Sequence, residues 1–186
     1  MGRVSQAQAE ENRRRVVETA SRLFRERGTQ VSVADVMAAA GLTHGAFYKQ
    51  FASKEALVDE VTAYAFAELA QRHSAGVDRS DGQRAAAQQS LIDTYLSVEH
   101  RDDPADGCPV AALATDIARD GGGDDARRVY AEGVAEFADF LDGPDQDGIL
   151  RLCTLFGALV LSRATKGFPL SEDILAAAHA ALTEPR

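Results

Sequence analysis

The chain contains 186 residues, of which 45% are hydrophobic and 26% charged, and its formal net charge at pH 7 is −9. This length accommodates one domain or two small ones, and the polar, charged N-terminus predicts that no secretory signal is present. Arg151 and Thr154 interrupt the most apolar stretch, residues 148–161. We therefore expect a soluble, cytoplasmic protein without a membrane-spanning segment.

Apolar residues recur at helical spacing along the chain and nowhere alternate with period two, which predicts an all-α fold of about nine helices. Polar segments at 74–82 and 101–107 predict connections, and the glycines at 121–123 predict a break. We expect residues 1–8 to be disordered. The predicted helices cover about 9–27, 33–40, 44–51, 54–73, 83–100, 109–121, 124–142, 145–166 and 171–183.

Charge is distributed unevenly along the chain. Residues 1–55 contain nine Lys or Arg and six Asp or Glu, whereas residues 56–186 contain eleven and twenty-three. A polyanion would therefore approach the first segment and be repelled by the second. We predict a domain at 1–55 that faces nucleic acid and a second helical domain at 56–186. The Arg13–Arg15 cluster either faces a bound phosphate backbone or forms a solvated charge run.

Residues 32–57 predict two short helices joined by a tight turn. Ser32 supplies an oxygen for the first free N–H groups, and Gly41 supplies the positive φ that often follows a helix. Phe47 and Phe51 lie four residues apart and are predicted to face inward together. The outer face then carries Thr43, His44, Gly45, Tyr48 and Lys49.

This arrangement is typical of a helix-turn-helix that reads DNA, because the major groove admits a helix whose N-terminal residues contact base edges. Lys49 can donate to guanine or phosphate, and Tyr48 can donate its hydroxyl to phosphate. Lys54 begins the next helix, whose free N–H groups suit another phosphate. A structural helical hairpin with a solvated polar face is the alternative, since the same shape occurs in bundles that bind nothing.

The run G-L-T-H-G-A-F-Y-K-Q-F-A-S-K-E-A-L at 41–57 closely resembles the DNA-binding domain of the TetR family of transcriptional regulators, and residues 20–29 resemble the end of that family's first helix. The resemblance covers about residues 10–60. It implies an all-helical homodimer, with an N-terminal three-helix DNA-binding domain and a divergent C-terminal domain for ligand binding and dimerisation.

The resemblance also implies which residues contact DNA. Thr43, His44, Tyr48 and Lys49 take the family's DNA-contact positions and Lys54 its phosphate position. The full set of predicted DNA-binding residues is Ser32, Thr43, His44, Gly45, Tyr48, Lys49 and Lys54. Gln50 stands where many members have histidine, which leaves the base preference open.

Dimerisation would double the base readout, because two copies on a two-fold axis bind a palindromic operator with half-sites about 34–36 Å apart. Residues 145–166 are apolar nearly all round, and with 171–183 they offer more apolar surface than one chain easily covers. We hypothesise an isologous four-helix interface. A central core helix of a monomer is the alternative. The predicted interface residues are Leu152, Leu155, Leu159, Arg163, Ile174 and Ala178.

The C-terminal region contains enough aromatic and aliphatic residues to form an apolar pocket for a small-molecule effector. Each of these residues could instead be plain core. The predicted pocket residues are Phe66, Leu69, Tyr95, Cys108, Val110, Leu113, Phe137, Phe140 and Phe156. Four polar residues near inner faces are weaker candidates for orienting a ligand: Asp93, Thr94, Asp116 and Thr154.

Cys108 lies at a predicted helix start, where the positive end of the helix stabilises a thiolate. The run D-G-C-P-V-A-A-L resembles a segment of some TetR-family regulators with a cysteine at this place, which implies an electrophile or oxidant sensor as one alternative. Asp102, Asp103 and Asp106 would raise the thiol pKa, which favours an unreactive buried cysteine instead. Cys153 lies in an apolar helix and is expected to be inert, and two distant cysteines predict no disulfide framework.

No residue pattern predicts catalysis. The histidines at 44, 73, 100 and 179 lack metal-ligand spacing, and no phosphate-binding loop or nucleophile elbow is present. We predict a regulator without enzymatic activity, metal or cofactor, which binds double-stranded DNA as a repressor and is released by a small apolar molecule. A helical adaptor that no longer binds DNA is a further alternative. In the repressor hypothesis, the helix at 54–73 links the DNA-binding domain to the pocket.

Overall fold

The computed structural model describes residues 6–119, 122–143 and 147–183. Within these ranges the regular secondary structure is helical and no β-strand is present, which confirms the all-α fold. The elements in chain order are α1 (Gln6–Arg27), α2 (Val33–Ala39), a 3₁₀ helix (His44–Lys49), α3 (Lys54–Arg79), α4 (Arg84–Tyr95), α5 (Val98–Asp102), α6 (Pro109–Ala118), α7 (Asp124–Leu141), α8 (Gly148–Ala164) and α9 (Leu170–Thr183). None of these described helices is both long and apolar enough to cross a bilayer.

The predicted connection at 74–82 is wrong for most of its length, because α3 continues to Arg79. The chain then reverses at Asp81 and Gly82, both of which have positive φ. Polar residues alone do not end a helix, and the reversal comes only where the backbone leaves the helical conformation. As a result α3 has 26 residues and extends along the whole length of the pocket described below.

The predicted helix at 83–100 is in fact two helices, α4 and α5. The Ser97 side chain accepts a hydrogen bond from the His100 N–H at 3.1 Å and so caps a new helix. This break brings the His100 ring to 4.7 Å from the Tyr95 ring, measured between centroids. A continuous helix would have separated these two side chains, which are five residues apart.

Other helix ends lie close to the predictions. α8 begins at Gly148, because the Asp147 carboxylate accepts from the Leu150 N–H at 3.0 Å. Residues 6–8 are helical rather than disordered. The predicted helix ends near 121 and 145, and the expected disorder of residues 1–5, lie outside the described residues.

The N-terminal part of the molecule, termed the head, consists of α1, α2, the 3₁₀ helix and the first turns of α3. Phe47 and Phe51 are buried in its core as predicted, with ring centroids 5.3 Å apart. Leu113 and Ile117 of α6 and Ala126 of α7 close the same core. The head therefore packs directly on the remainder of the chain, termed the body. The division after residue 55 stays a prediction.

The body has a core of its own, formed by the later part of α3 with α4, α7, α8 and α9. α3 and α7 approach each other closely at Gly133, because a Cβ at this position would overlap the Phe66 ring. Because α3 contributes to both cores, it is the structural element that the head and the body share.

Candidate functional site

The turn of the predicted helix-turn-helix has the expected chemistry. The Ser32 hydroxyl accepts a hydrogen bond from the Asp35 N–H at 3.1 Å and caps α2. Gly41 follows α2 with a φ of 71°, a conformation that glycine adopts without strain. Thr43 has the extended backbone of a helix cap, but its side chain makes no capping hydrogen bond. The second helix is shorter and tighter than predicted, a 3₁₀ helix from His44 to Lys49.

An arginine of α1 holds the end of the 3₁₀ helix in place. The Arg13 guanidinium donates to the Gln50 carbonyl and pairs with the Glu60 carboxylate. It also lies 4.4 Å from the centre of the Phe51 ring. Arg14 pairs with two glutamates of its own helix. These contacts assign Arg13 to the packing of the head rather than to its solvent face.

The 3₁₀ helix presents a polar face to solvent above the buried Phe47. The exposed residues are Thr43, His44, Gly45, Tyr48 and Lys49. The Tyr48 side chain is 66% exposed, and its ring stands edge-on to the rings of His44 and Phe47 at centroid distances of 5.9 and 5.1 Å. Lys49 is exposed and Lys54 half-buried. Within the described ranges neither lysine has an ion-pair partner, so both charges are available to an external anion.

A cavity of about 430 Å³ lies in the body between α3, α4, α7 and the loop before α6. Five of the predicted pocket residues line it: Leu69, Tyr95, Cys108, Phe137 and Phe140. Thr94, one of the weaker polar candidates, lines it as well. This volume is within the range of small-molecule binding sites in proteins.

Four predicted pocket residues do not line the cavity, because packing uses them elsewhere. Phe66 fills the space above Gly133, and Leu113 belongs to the core of the head. Val110 is buried in the core of the body, and Phe156 packs partly buried against that core. For these four the alternative of plain core is correct.

The other polar candidates have partners of their own. Asp93 accepts from the His179 ring at 2.8 Å, and the Thr154 hydroxyl donates to the Leu150 carbonyl at 2.9 Å. Asp116 accepts from the Thr29 N–H at 2.6 Å, at the junction of α6 with the head. None of these three side chains lines the cavity.

Nε2 of His73 is buried at the cavity and has no hydrogen-bond partner among the described residues. The buried Tyr95 hydroxyl has only the Cys108 thiol beside it, a weak hydrogen-bonding group. The His73 ring is stacked on Phe140 with a centroid distance of 4.4 Å and lies 4.6 Å from Phe137. Burial, reinforced by the neighbouring Arg72, lowers the pKa of His73 to about 4, so the imidazole is neutral at pH 7. Burial also raises the pKa of the Tyr95 hydroxyl. Such atoms carry a desolvation cost that a bound ligand can relieve.

The wall of the cavity is joined to the head by side chains of α1. Arg22 pairs with the Asp106 carboxylate, and Arg25 donates to the Gly107 carbonyl at 3.4 Å. Arg25 also pairs with Glu68 of α3 at 3.4 Å. Because Asp106 and Gly107 both line the cavity, a shift of this loop would directly change the contacts that α1 makes with it.

Comparison with known proteins identifies the head. Residues 16–61 match the family model for bacterial regulatory proteins of the tetR family. The match covers most of α1, the glycine turn, the polar face of the 3₁₀ helix and the start of α3. This match assigns residues 16–61 to the tetR family of bacterial regulatory proteins.

Solved structures of TetR-family regulators share the fold over nearly the whole chain. A regulator from Agrobacterium tumefaciens aligns with a TM-score of 0.76 at 15% identity, covering 95% of this chain and 100% of its own. The reduced form of NemR from E. coli aligns with a TM-score of 0.73 at 18% identity, covering 90% and 95%. A regulator from Chloroflexus aurantiacus aligns with a TM-score of 0.71 at 22% identity, covering 95% and 94%. No curated protein sequence matches the chain.

Cys108 is placed unfavourably for a reactive thiol. Its side chain is buried in the cavity wall, and this burial raises the pKa of the thiol. Hydrogen bonds from the Ala111 N–H and other donors act in the opposite direction but do not reverse the shift. The sequence-based argument attributed a raised pKa to nearby aspartates, whereas the main cause is burial. Cys153 lies in the apolar helix α8 as expected, but its side chain is exposed.

The predicted face of α8 for dimerisation requires correction. Leu152, Leu155, Leu159 and Ala178 are buried within the protomer, so their side chains face their own chain. Arg163 donates to the carbonyls of His100 and Arg101, both at 3.0 Å, and Ile174 packs against the body core. An all-apolar helix does not reveal which side faces its own chain. The exposed apolar side chains at this end are Ile149, Leu150, Val160, Leu161, Phe168 and Leu170.

Several cavity residues escaped the sequence-based argument. His73 and His100 were set aside as scattered, yet both line the cavity. Arg72 and Arg79 were not considered, although they lie seven residues apart on α3 and so share one face. The helical spacing of His73 with Leu69 was an available signal. Among the described residues, no group of histidines, cysteines and carboxylates is placed to hold a metal ion.

Proposed function

We propose that this protein is a cytoplasmic homodimeric repressor of the TetR family that binds a palindromic operator and releases it when a small molecule occupies the cavity. TetR-family regulators are generally ligand-responsive DNA-binding proteins without enzymatic activity. The single observation that carries the proposal is the polar face of the 3₁₀ helix. Its exposed donors and its unpaired lysine lie on a filled core, within the segment that matches the family's DNA-binding domain.

In the proposed complex, Thr43, His44, Gly45, Tyr48 and Lys49 enter the major groove, and Lys54 and Ser32 contact phosphates. Gly45 has open space where a Cβ would stand, which allows the DNA to approach the backbone. The acidic body is repelled by DNA, so charge orients the molecule with its head toward the duplex.

The proposed dimer uses the outer faces of α8 and α9 rather than the residues first predicted. Ile149 and Leu161 are 66% and 56% exposed, and Phe168 at the start of α9 is 70% exposed. Large apolar side chains grouped on one surface are characteristic of protein–protein contacts. An isologous contact of this surface would relate the two heads by a two-fold axis, so that both lie at the same level along it.

Release would follow from the contacts between the cavity wall and the head. A ligand shifts the equilibrium only if it binds the two conformations with unequal affinity. The loop at Asp106 and Gly107 could couple the cavity to the head, because it lines the cavity and also binds Arg22 and Arg25 of α1. The pair of Asp116 with Thr29 gives α6 a second hold on the head. Thus α6 and its loop support the linking role that was first predicted for α3 alone.

The test begins with selection of bound fragments from genomic DNA, followed by mobility-shift titration of the recovered operator. Lys49→Ala is expected to weaken operator binding by about 1–3 kcal/mol and to relax preference at one base pair. Lys54→Ala is expected to weaken all sequences alike and to reduce the salt slope by about one. Lys166→Ala, which removes the same charge far from the head, is the matched control. If wild type fails to bind any duplex at low salt, the adaptor alternative replaces the repressor.

A thiol-based response through Cys108 is the second candidate. It is supported by the position of Cys108 in the cavity wall and opposed by the raised pKa of its thiol. Release of operator DNA from wild type by an electrophile, with no release from Cys108→Ser, would favour it over reversible ligand binding.

A further inference from the structure

Guanidinium groups outnumber carboxylates at the mouth of the cavity. Arg72 and Arg79 line it from α3, and Asp106 is the one carboxylate among the described lining residues. That carboxylate is already bound by Arg22. Arg72 donates to the main-chain carbonyl of Asp106 at 3.1 Å rather than to a carboxylate, and Arg79 has no hydrogen bond or ion pair within the described ranges. The mouth therefore carries an excess of positive charge even though Asp106 partly offsets Arg72. This excess contrasts with the strongly acidic composition of residues 56–186.

The interior of the cavity is aromatic. Phe137 lies between the rings of His73 and Tyr95, with centroid distances of 4.6 and 6.3 Å, and Phe140 stacks on the other side of His73. Aromatic rings prefer offset-stacked or edge-on contacts, so these walls favour a flat ring over a branched aliphatic group. The unpartnered Nε2 of His73 and the weakly partnered hydroxyl of Tyr95 add two polar positions to this interior.

We infer that the cavity binds a planar aromatic carboxylate that carries a second polar group. The carboxylate is held at the mouth by Arg72 and Arg79, because the guanidinium fork matches carboxylate geometry. The ring lies among the aromatic walls, and the second polar group, such as a phenolic hydroxyl, satisfies Tyr95 and His73. This inference specifies the chemical class of the effector, and it rests on the proposed function only because it takes the cavity to be the effector site.

A neutral apolar ligand would fit the walls but leave Arg79 without a counter-charge and the buried Nε2 of His73 unsatisfied. Hydrogen bonds that involve a charged group stabilise more than neutral ones do. The negative charge of the ligand is therefore the discriminating property, and it can be removed without changing shape by converting the acid to its carboxamide.

The first experiment measures binding of 4-hydroxycinnamate, cinnamate and cinnamamide to the full-length protein by titration calorimetry. We expect both acids to bind about 10- to 100-fold more tightly than the amide, the range set by charged against neutral hydrogen bonds. The hydroxylated acid is expected to bind more tightly than cinnamate. Equal affinity for acid and amide, or no binding of either acid at millimolar concentration, overturns the inference.

The second experiment repeats the titrations with variants whose folding is verified by circular dichroism. The Arg72→Gln/Arg79→Gln double variant is expected to lose the preference for acid over amide. Arg128→Gln, a surface change on α7 away from the cavity, is expected to keep it. Tyr95→Phe is expected to abolish the advantage of 4-hydroxycinnamate over cinnamate. An acid preference that survives in the double variant contradicts the assignment of the arginines.

Operator release, measured separately, distinguishes the inference from the proposed function. If acids bind with the expected preference but never release operator DNA, the ligand class stands and the release mechanism fails. If a neutral compound releases the operator while the acids do not bind, the release mechanism stands and the ligand class fails.

Discussion

In the head, the polar groups of the predicted DNA surface face solvent above a core that is filled, whereas in the body polar atoms are buried beside a space that is not. Tyr48 is 66% exposed directly beside the fully buried Phe47. Tyr95 is 6% exposed, and its hydroxyl has only the Cys108 thiol beside it. The head thus leaves its polar groups accessible to an external partner. The body has a core that a ligand would complete.

The largest expected effect is a difference in stability between variants of two adjacent head residues, Phe47 and Tyr48. Phe47→Ala should lower the free energy of unfolding by about 3–5 kcal/mol, because it empties a packed core. Tyr48→Ala should change stability by less than about 1 kcal/mol but weaken operator binding. Chemical denaturation and mobility shift measure the two quantities. Similar stability losses in both variants would contradict the contrast between an outer face and a core.

A pH titration of stability tests the burial of His73 in the body. Burial lowers the pKa of His73 from 6.5 to about 4. Between these pH values the unfolded chain binds a proton that the folded protein does not, so wild type should lose up to about 3 kcal/mol of stability as pH falls from 6.5 to 4. His73→Phe should lack this part of the pH dependence. Parallel curves for the two proteins in urea denaturation would show that His73 is solvated.

Removal of the weakly partnered Tyr95 hydroxyl should stabilise the free protein. Tyr95→Phe is expected to raise the free energy of unfolding by about 1 kcal/mol, since a poorly satisfied buried polar group is costly. Tyr130→Phe is the matched control, because its hydroxyl donates to the Val110 carbonyl at 2.8 Å, and it should lose about 1 kcal/mol. Equal destabilisation by both changes would mean that Tyr95 has a strong hydrogen-bond partner in solution.

The smallest expected effect concerns the contact between the head and the cavity wall. Arg22→Gln should change stability by less than about 1 kcal/mol, because the pair with Asp106 is half exposed. It should nevertheless alter the ligand concentration that releases half of the operator. Arg128→Gln provides the control on a surface pair within one helix. An unchanged release midpoint in Arg22→Gln would remove this pair from the coupling.

Much of the head could be predicted from the sequence because its determinants are local. The Ser32 cap, the Gly41 turn and the inward pair of Phe47 and Phe51 each depend on residues within a few positions of one another. The role of Arg13 could not be predicted in the same way, since Gln50 and Glu60 come to it only after folding.

The cavity and the dimer surface were less predictable because they depend on which helices meet. Five of nine pocket residues line the cavity, but helical spacing could not separate Leu69, which does, from Phe66, which packs against Gly133. The face of α8 was misassigned for a related reason: leucines on every side of a helix give no direction. His73 was missed although it lies four residues after Leu69, because a titratable side chain is usually expected on the solvent side of a helix.

Because α3 is continuous, a bound molecule that moves one end of this helix would tilt the whole helix as a rigid body. With 26 residues the helix is about 39 Å long and contains no proline at which it could kink. Arg72 and Arg79 lie near one end of this rod and Lys54 at the other. A tilt of only a few degrees imposed near the arginines would therefore displace the opposite end by about 2–3 Å, comparable to the length of one hydrogen bond. In a symmetric dimer the displacements of the two α3 helices would add. The changed separation of the two heads would then no longer match successive major grooves, without any local unfolding.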